Sequence, residues 1–170
     1  MPVTSYAIAL GSNRRHGRHG APARVIAAAA AALAETGIAV AALSPVLRTV
    51  AMGPAGRDFA NAAAIVTTEL DPPALLACLK RIERAFGRGR GRRWGPRVLD
   101  LDIVLWSGGR WRGGRHLSVP HRDVHRRGFV LVPLAAVARD WRHPATGLAV
   151  RHLLGRLQRA RPVDPSARRP

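Results

Sequence analysis

RWGPRVLDLDI, residues 93–103, is a basic, glycine-containing loop that runs into a strand. Side chains alternate along a strand, so Asp100 and Asp102 project from one face while Leu99, Leu101 and Ile103 point to the other. One face is therefore acidic and the other is core. Two carboxylates about 7 Å apart along a strand are a costly pair unless a cation sits with them. Hard oxygen donors favour magnesium or manganese over zinc, and magnesium rarely takes an all-protein cage, which leaves room for the phosphates of a nucleotide. Upstream, Arg88, Arg90, Arg92, Arg93 and Arg97 alternate with Gly87, Gly89, Gly91 and Gly95. Such a segment is expected to move and to close on anionic oxygens.

Working outward, the chain reads as a ferredoxin-like α+β fold. Residues 3–10 form an apolar strand ending at the turn cluster Gly11, Ser12 and Asn13. The alanine-rich run 22–35 is a helix with Pro22 in its first turn and Gly37 beyond its end. Residues 38–50 read as a second strand interrupted at Pro45, 51–58 as a mobile loop, and 60–70 as a third strand. Asp71, Pro72 and Pro73 open a helix to about Phe86, with Leu75, Leu76, Leu79 and Ile82 as its apolar stripe. The strand 98–106 follows, then a glycine-rich turn at 108–114. Residues 129–137 and 148–157 are expected to add helices, and 161–170 to be a frayed basic tail. The order βαββαβ, with additions at the C-terminal end, is the split βαβ pattern of an antiparallel sheet in a single domain, residues 1–160.

Composition narrows the function classes. A formal net charge of +18 raises nucleic-acid binding as a first suspicion. Nearly all of that charge is arginine in a chain also rich in alanine, glycine and proline, a pattern that GC-rich coding alone produces, and aromatics are only 5%, too few for a base-stacking platform. Cys78 is the sole cysteine, which excludes an internal disulfide and a multi-thiolate zinc site. The opening apolar run is too short for a signal peptide or a membrane span, so a cytoplasmic protein without membrane or nucleic-acid partners is expected.

Several stretches resemble the 6-hydroxymethyl-7,8-dihydropterin pyrophosphokinase family: ALGSN at 9–13, FANAA at 59–63, RIERAFGR at 81–88, RWGPRVLDLDI, and PHRDVHRRGFVLVPL at 120–134. The resemblance implies transfer of the β,γ-pyrophosphoryl unit of ATP to the pterin hydroxymethyl group in tetrahydrofolate biosynthesis, leaving AMP, with two magnesium ions and an expected monomer. It implies Asp100 and Asp102 as metal ligands and Arg88 and Arg97 as catalytic partners of the phosphates. ATP contacts fall on Glu83, Arg90, Trp94, Arg97, Ile103, Ser118, His121 and Arg127. The pterin maps to Thr49, Val50, Met52, Phe59, Asn61, Trp94 and Phe129. Three features depart from the family: Lys80 replaces a frequent glutamine, Arg122 a frequent aromatic, and the arginine loop is one residue shorter.

Each role has a physical reason. Pyrophosphoryl transfer needs in-line placement and cancellation of charge more than covalent chemistry. Arginine supplies planar, bidentate contacts that keep their proton. A pterin is flat with an amide-like edge, so aromatic faces can sandwich it and Asn61 can both donate and accept. Composition alone reads some of these residues otherwise: Phe129, apolar among apolar neighbours, reads as core, and His121 as a surface loop residue. Two rival functions share features of this sequence. An RNA recognition motif has the same element order but needs an aromatic signature on the strand where Asp100 and Asp102 stand. A metal-dependent nuclease can use the same acidic pair.

Overall fold

The computed structural model describes residues 2–50, 58–87, 98–113 and 117–160. Arg88, Arg90, Trp94 and Arg97, the expected mobile loop with Met52, and the expected tail at 161–170 lie outside the described residues.

β1 (Thr4–Ser12) leads into α1 (Pro22–Glu35), whose boundaries match the proline and glycine signals. The expected second strand is two, β2 (Ala39–Leu43) and β3 (Leu47–Val50), parted around Pro45 and both paired antiparallel to the long β4 (Asp58–Thr68). α2 (Pro72–Ala85) starts where the Asp71 carboxylate accepts from the Ala74 N–H at 2.8 Å and stops before Gly87, at φ 81°. β5 (Asp100–Trp106) follows. The expected glycine hairpin divides: Gly108 and Gly109 turn the chain out of β5, and β6 (Trp111–Gly113) then pairs with β7 (Leu117–Val119). A short 3₁₀ turn at Val124–Arg126 precedes α3 (Gly128–Ala138) and α4 (Val150–Ala160).

The main sheet runs β2-β4-β1-β5, with β3 beside β2 on β4, and all its pairings are antiparallel. Each face is covered. On one, α1 and α2 pack Val25, Ile26, Leu33, Leu75, Leu79 and Ile82 against Ile8, Leu10, Val66, Leu101 and Ile103. On the other, α3 and α4 pack Val130, Leu131, Leu134 and Leu153 against Ala7, Ala63 and Ile65. A bulge fixes where this second layer ends. Ala7 pairs with Leu105 but Ile8 pairs with Ile103, so Val104 is an extra residue, and both Val104 and Leu105 enter the α3/α4 core. Beyond the bulge, Asp102 and Asp100 continue along the same face past the cover of those helices. No helix among the described residues is long and apolar enough to cross a membrane.

Candidate active site

The register of three strands assembles the site. Gly11 stands between Asn61 on β4 and Asp100 on β5, and one row deeper Ala9 stands between Ala63 and Asp102. With strands about 4.8 Å apart, Asn61 and Asp100 sit roughly 10 Å from each other across a floor of small residues. Gly11 leaves that floor open: a Cβ would meet Asn61 Oδ1 at 3.4 Å and Asp100 Cβ at 4.0 Å, ordinary contact distances, and would occupy the floor. An open cleft lies above, with Phe129, Arg127 and Val130 forming its other wall.

Phe129 corrects the reading from composition. It is 45% exposed, not core, because α3 turns Val130, Leu131 and Leu134 onto the sheet and leaves its first turn over the open end. The guanidinium of Arg127 lies 5.9 Å from the Phe129 ring centroid, a cation–π arrangement that holds the ring at the cleft mouth.

A second, shallow cleft adjoins the first, sharing Ala9, Asp102, Arg127 and Val130 and adding Val104, His121 and Val124. Asp102 and Arg127 thus stand at the junction of two compartments, one with an amide and an aromatic ring, the other with an imidazole. Asp123 organises the second: its carboxylate Oδ2 meets Arg127 Nη2 at 3.3 Å, and its N–H donates to His121 Nδ1 at 3.2 Å. An imidazole that accepts at Nδ1 carries its proton on Nε2 when neutral. Burial lowers the His121 pKa below its ordinary 6.5, and the Arg127 charge acts the same way, against the opposite pull of Asp102 and Asp123. His121 is therefore a neutral donor of the kind that suits a phosphate oxygen.

The remaining expected residues divide. Thr49 pairs with Phe59, two residues along β4 from Asn61, so both extend the row that holds Asn61; the backbone of Val50 pairs with Asp58. Ser118 lies on β7 with its hydroxyl donating to the Pro120 carbonyl, away from both clefts. The side chains of Ile103 and Glu83 are both buried. Ile103 is 4% exposed within the α1/α2 core; only its main chain faces outward, on the sheet edge it shares by period two with Leu101. Glu83 is fully buried, and its Oε1 accepts from the Leu101 N–H at 2.7 Å and from Lys80 Nζ at 2.7 Å. It fixes β5 rather than meeting solvent.

Lys80 was absent from the expected site set. Its Nζ also donates to the Leu101 carbonyl at 3.0 Å and stands 3.9 Å from Asp102 Oδ1. A lysine three positions before a glutamate on the same helix is the available sequence signal, but the partner strand is invisible to it. Among the described residues no cluster of three or more His, Cys, Asp or Glu forms a metal cage. The acidic pair at an open cleft fits an ion that draws its other ligands from phosphate and water.

Residues 7–139 match the family model described as 7,8-dihydro-6-hydroxymethylpterin-pyrophosphokinase (HPPK). Two relatives, each named 2-amino-4-hydroxy-6-hydroxymethyldihydropteridine pyrophosphokinase, are similar over most of the chain. The Methylorubrum extorquens protein is 45% identical over 81% of this chain and 85% of its own length. The Synechocystis sp. protein is 42% identical over 69% of this chain and 60% of its own. The fold is that of the crystal structure of Plasmodium falciparum HPPK-DHPS, at a TM-score of 0.69 and 15% identity, covering 91% of this chain and 41% of that one. The chain belongs to the 7,8-dihydro-6-hydroxymethylpterin pyrophosphokinase family.

Proposed function

We propose that this chain transfers the pyrophosphoryl unit of ATP to the hydroxymethyl group of 6-hydroxymethyl-7,8-dihydropterin, releasing AMP and the pterin diphosphate, in tetrahydrofolate biosynthesis. The observation that carries the reading is the pair of adjoining clefts that meet at Asp102 and Arg127. A heterocycle in one and a polyphosphate in the other would meet end to end at those two side chains.

The pterin lies across Ala9 and Gly11, with Phe129 on its face and the Asn61 amide at its edge, because a flat ring gains from an aromatic wall and an amide-like edge needs both a donor and an acceptor. Thr49, Val50, Met52, Phe59 and Trp94 complete that side. On the nucleotide side His121 donates through Nε2 and Arg127 adds a permanent charge; Arg90, Trp94, the Ile103 main chain and, farther from the two clefts, Ser118 are the other ATP contacts that the family resemblance implies. Glu83 supports the strand from behind. Arg88 and Arg97 close on the phosphates and neutralise charge as it develops on the transferring oxygens. Asp100 and Asp102 would hold two magnesium ions. When bound, these supply Lewis-acid cancellation of phosphate charge and a template that aligns attacking and leaving oxygens. One chain, residues 1–160, provides every group named, so a monomer suffices, and its expected place is the cytoplasm.

The test is product analysis with ATP, magnesium and the reduced hydroxymethylpterin. AMP must appear in step with the pterin diphosphate; ADP as the nucleotide product would refute pyrophosphoryl transfer.

A further inference from the structure

Lys80 is the single lysine of the chain, and it rounds the outer edge of β5. With Glu83 it imitates a neighbouring strand at Leu101: the carboxylate accepts from the Leu101 N–H at 2.7 Å while the ammonium donates to the Leu101 carbonyl at 3.0 Å. That ammonium stands between a fully buried carboxylate at 2.7 Å and the Asp102 carboxylate at 3.9 Å. The Lys80 and Asp102 side chains keep about a third of their surface in solvent, 34% and 33%. They therefore remain within reach of an incoming ligand.

We propose that Lys80 is a positioning residue for the nucleotide half of the site, a resident cation that shares Asp102 with the incoming metal ion. This inference rests on the reading of Asp102 as a metal ligand. A fixed positive charge beside that carboxylate opposes capture of a bare divalent cation. It attracts the same cation when a polyphosphate accompanies it, because the complex is anionic. Lys80 thus biases the empty site against free metal and toward the metal–nucleotide complex. Its hold on Leu101, the residue next to Asp102, ties that bias to the position of β5. A merely structural lysine would change both kinds of binding in the same direction, or neither.

The variant K80Q keeps donors for Glu83 and the Leu101 carbonyl and removes the charge. It should bind manganese alone at least about threefold more tightly, and a nonhydrolysable magnesium–ATP analogue at least about threefold more weakly, as a point charge at this distance requires after solvent screening. K80R should return both toward wild type. The unaltered protein gives an independent readout. Because the chain has one lysine, lysine-selective isotope labelling gives a single side-chain resonance, and magnesium alone should shift it in wild type but not in D102N. Opposite movements of the two affinities, with the D102N-dependent shift, support the proposal. Affinities that move together or stay within about twofold overturn it, as does an unmoved lysine resonance in a protein whose cation binding D102N abolishes. If D102N binds the cation as well as wild type, the metal reading itself falls and takes this inference with it.

Discussion

The two faces of the central sheet are built from the same strands and do opposite work. Toward α1 and α2, β1 and β5 present Ile8, Leu10, Leu101 and Ile103, large aliphatics sealed within one core. Toward α3 and α4, the alternate positions Ala9, Gly11, Asp100 and Asp102 are small or charged and line an open cleft. Burial on the first face stabilises the strands enough to hold two carboxylates close together on the second. Period-two alternation is what lets neighbouring residues serve stability and chemistry separately.

That separation is breakable at adjacent residues. Asp102→Ala should reduce turnover on the order of a thousandfold, since loss of a metal position forfeits several kcal/mol of charge stabilisation, while the melting temperature stays near wild type. Its neighbour Leu101 should behave the other way. Leu101→Ala should cost about 2 to 5 kcal/mol in denaturant unfolding through loss of a fully buried side chain. A large stability loss in Asp102→Ala would break the comparison.

Smaller effects sharpen it. Arg97→Ala should slow chemistry by at least about tenfold, because one charge-assisted contact made in the transition state is worth about 1.5 to 3 kcal/mol; single-turnover rates measure this. Phe129→Ala should weaken pterin binding by about tenfold in calorimetric titration, the aromatic contact and its buried area together supplying over 1 kcal/mol. Unfolding free energy should change by less than about 0.5 kcal/mol, as for other exposed positions. The mildest effect concerns pH. Burial holds the folded-state pKa of His121 below 6.5, so between those values the unfolded chain binds the extra proton, and stability falls as pH drops below 6.5 toward the folded-state value. His121→Gln should remove that portion of the acid-side decline, read as a flatter dependence of melting temperature on pH between about 7 and 5.

How much of this was legible in the sequence follows from the range of each signal. Alternation, caps and turn residues are local, so the acidic pair on β5, the start of α2 at Asp71 and the ends of α1 could be read directly. The break at Pro45 was legible as an interruption, but the pairing of both halves with β4 depends on a partner strand outside that segment. The extra residue at Val104 leaves no mark, since one more valine in an apolar strand looks like any other. Phe129 reads as core because α3 is apolar nearly all round, and only tertiary packing decides which side is covered. Lys80 escaped for a related reason: the stripe of α2 is defined by its leucines, while Lys80 and Glu83 act together on a strand edge that periodicity does not describe. The resemblance to a pyrophosphokinase supplied what local signals lacked, and the strand register now gives Asn61, Gly11 and Asp100 a common row.

The most direct measurement is a crystal structure with magnesium, a nonhydrolysable ATP analogue and a pterin analogue bound together. Divalent cations should sit on Asp100 and Asp102, the heterocycle between Asn61 and Phe129, and the phosphate tail should reach Arg127 and His121. Cations bound away from both aspartates, or a pterin outside the cleft over Gly11, would contradict that arrangement.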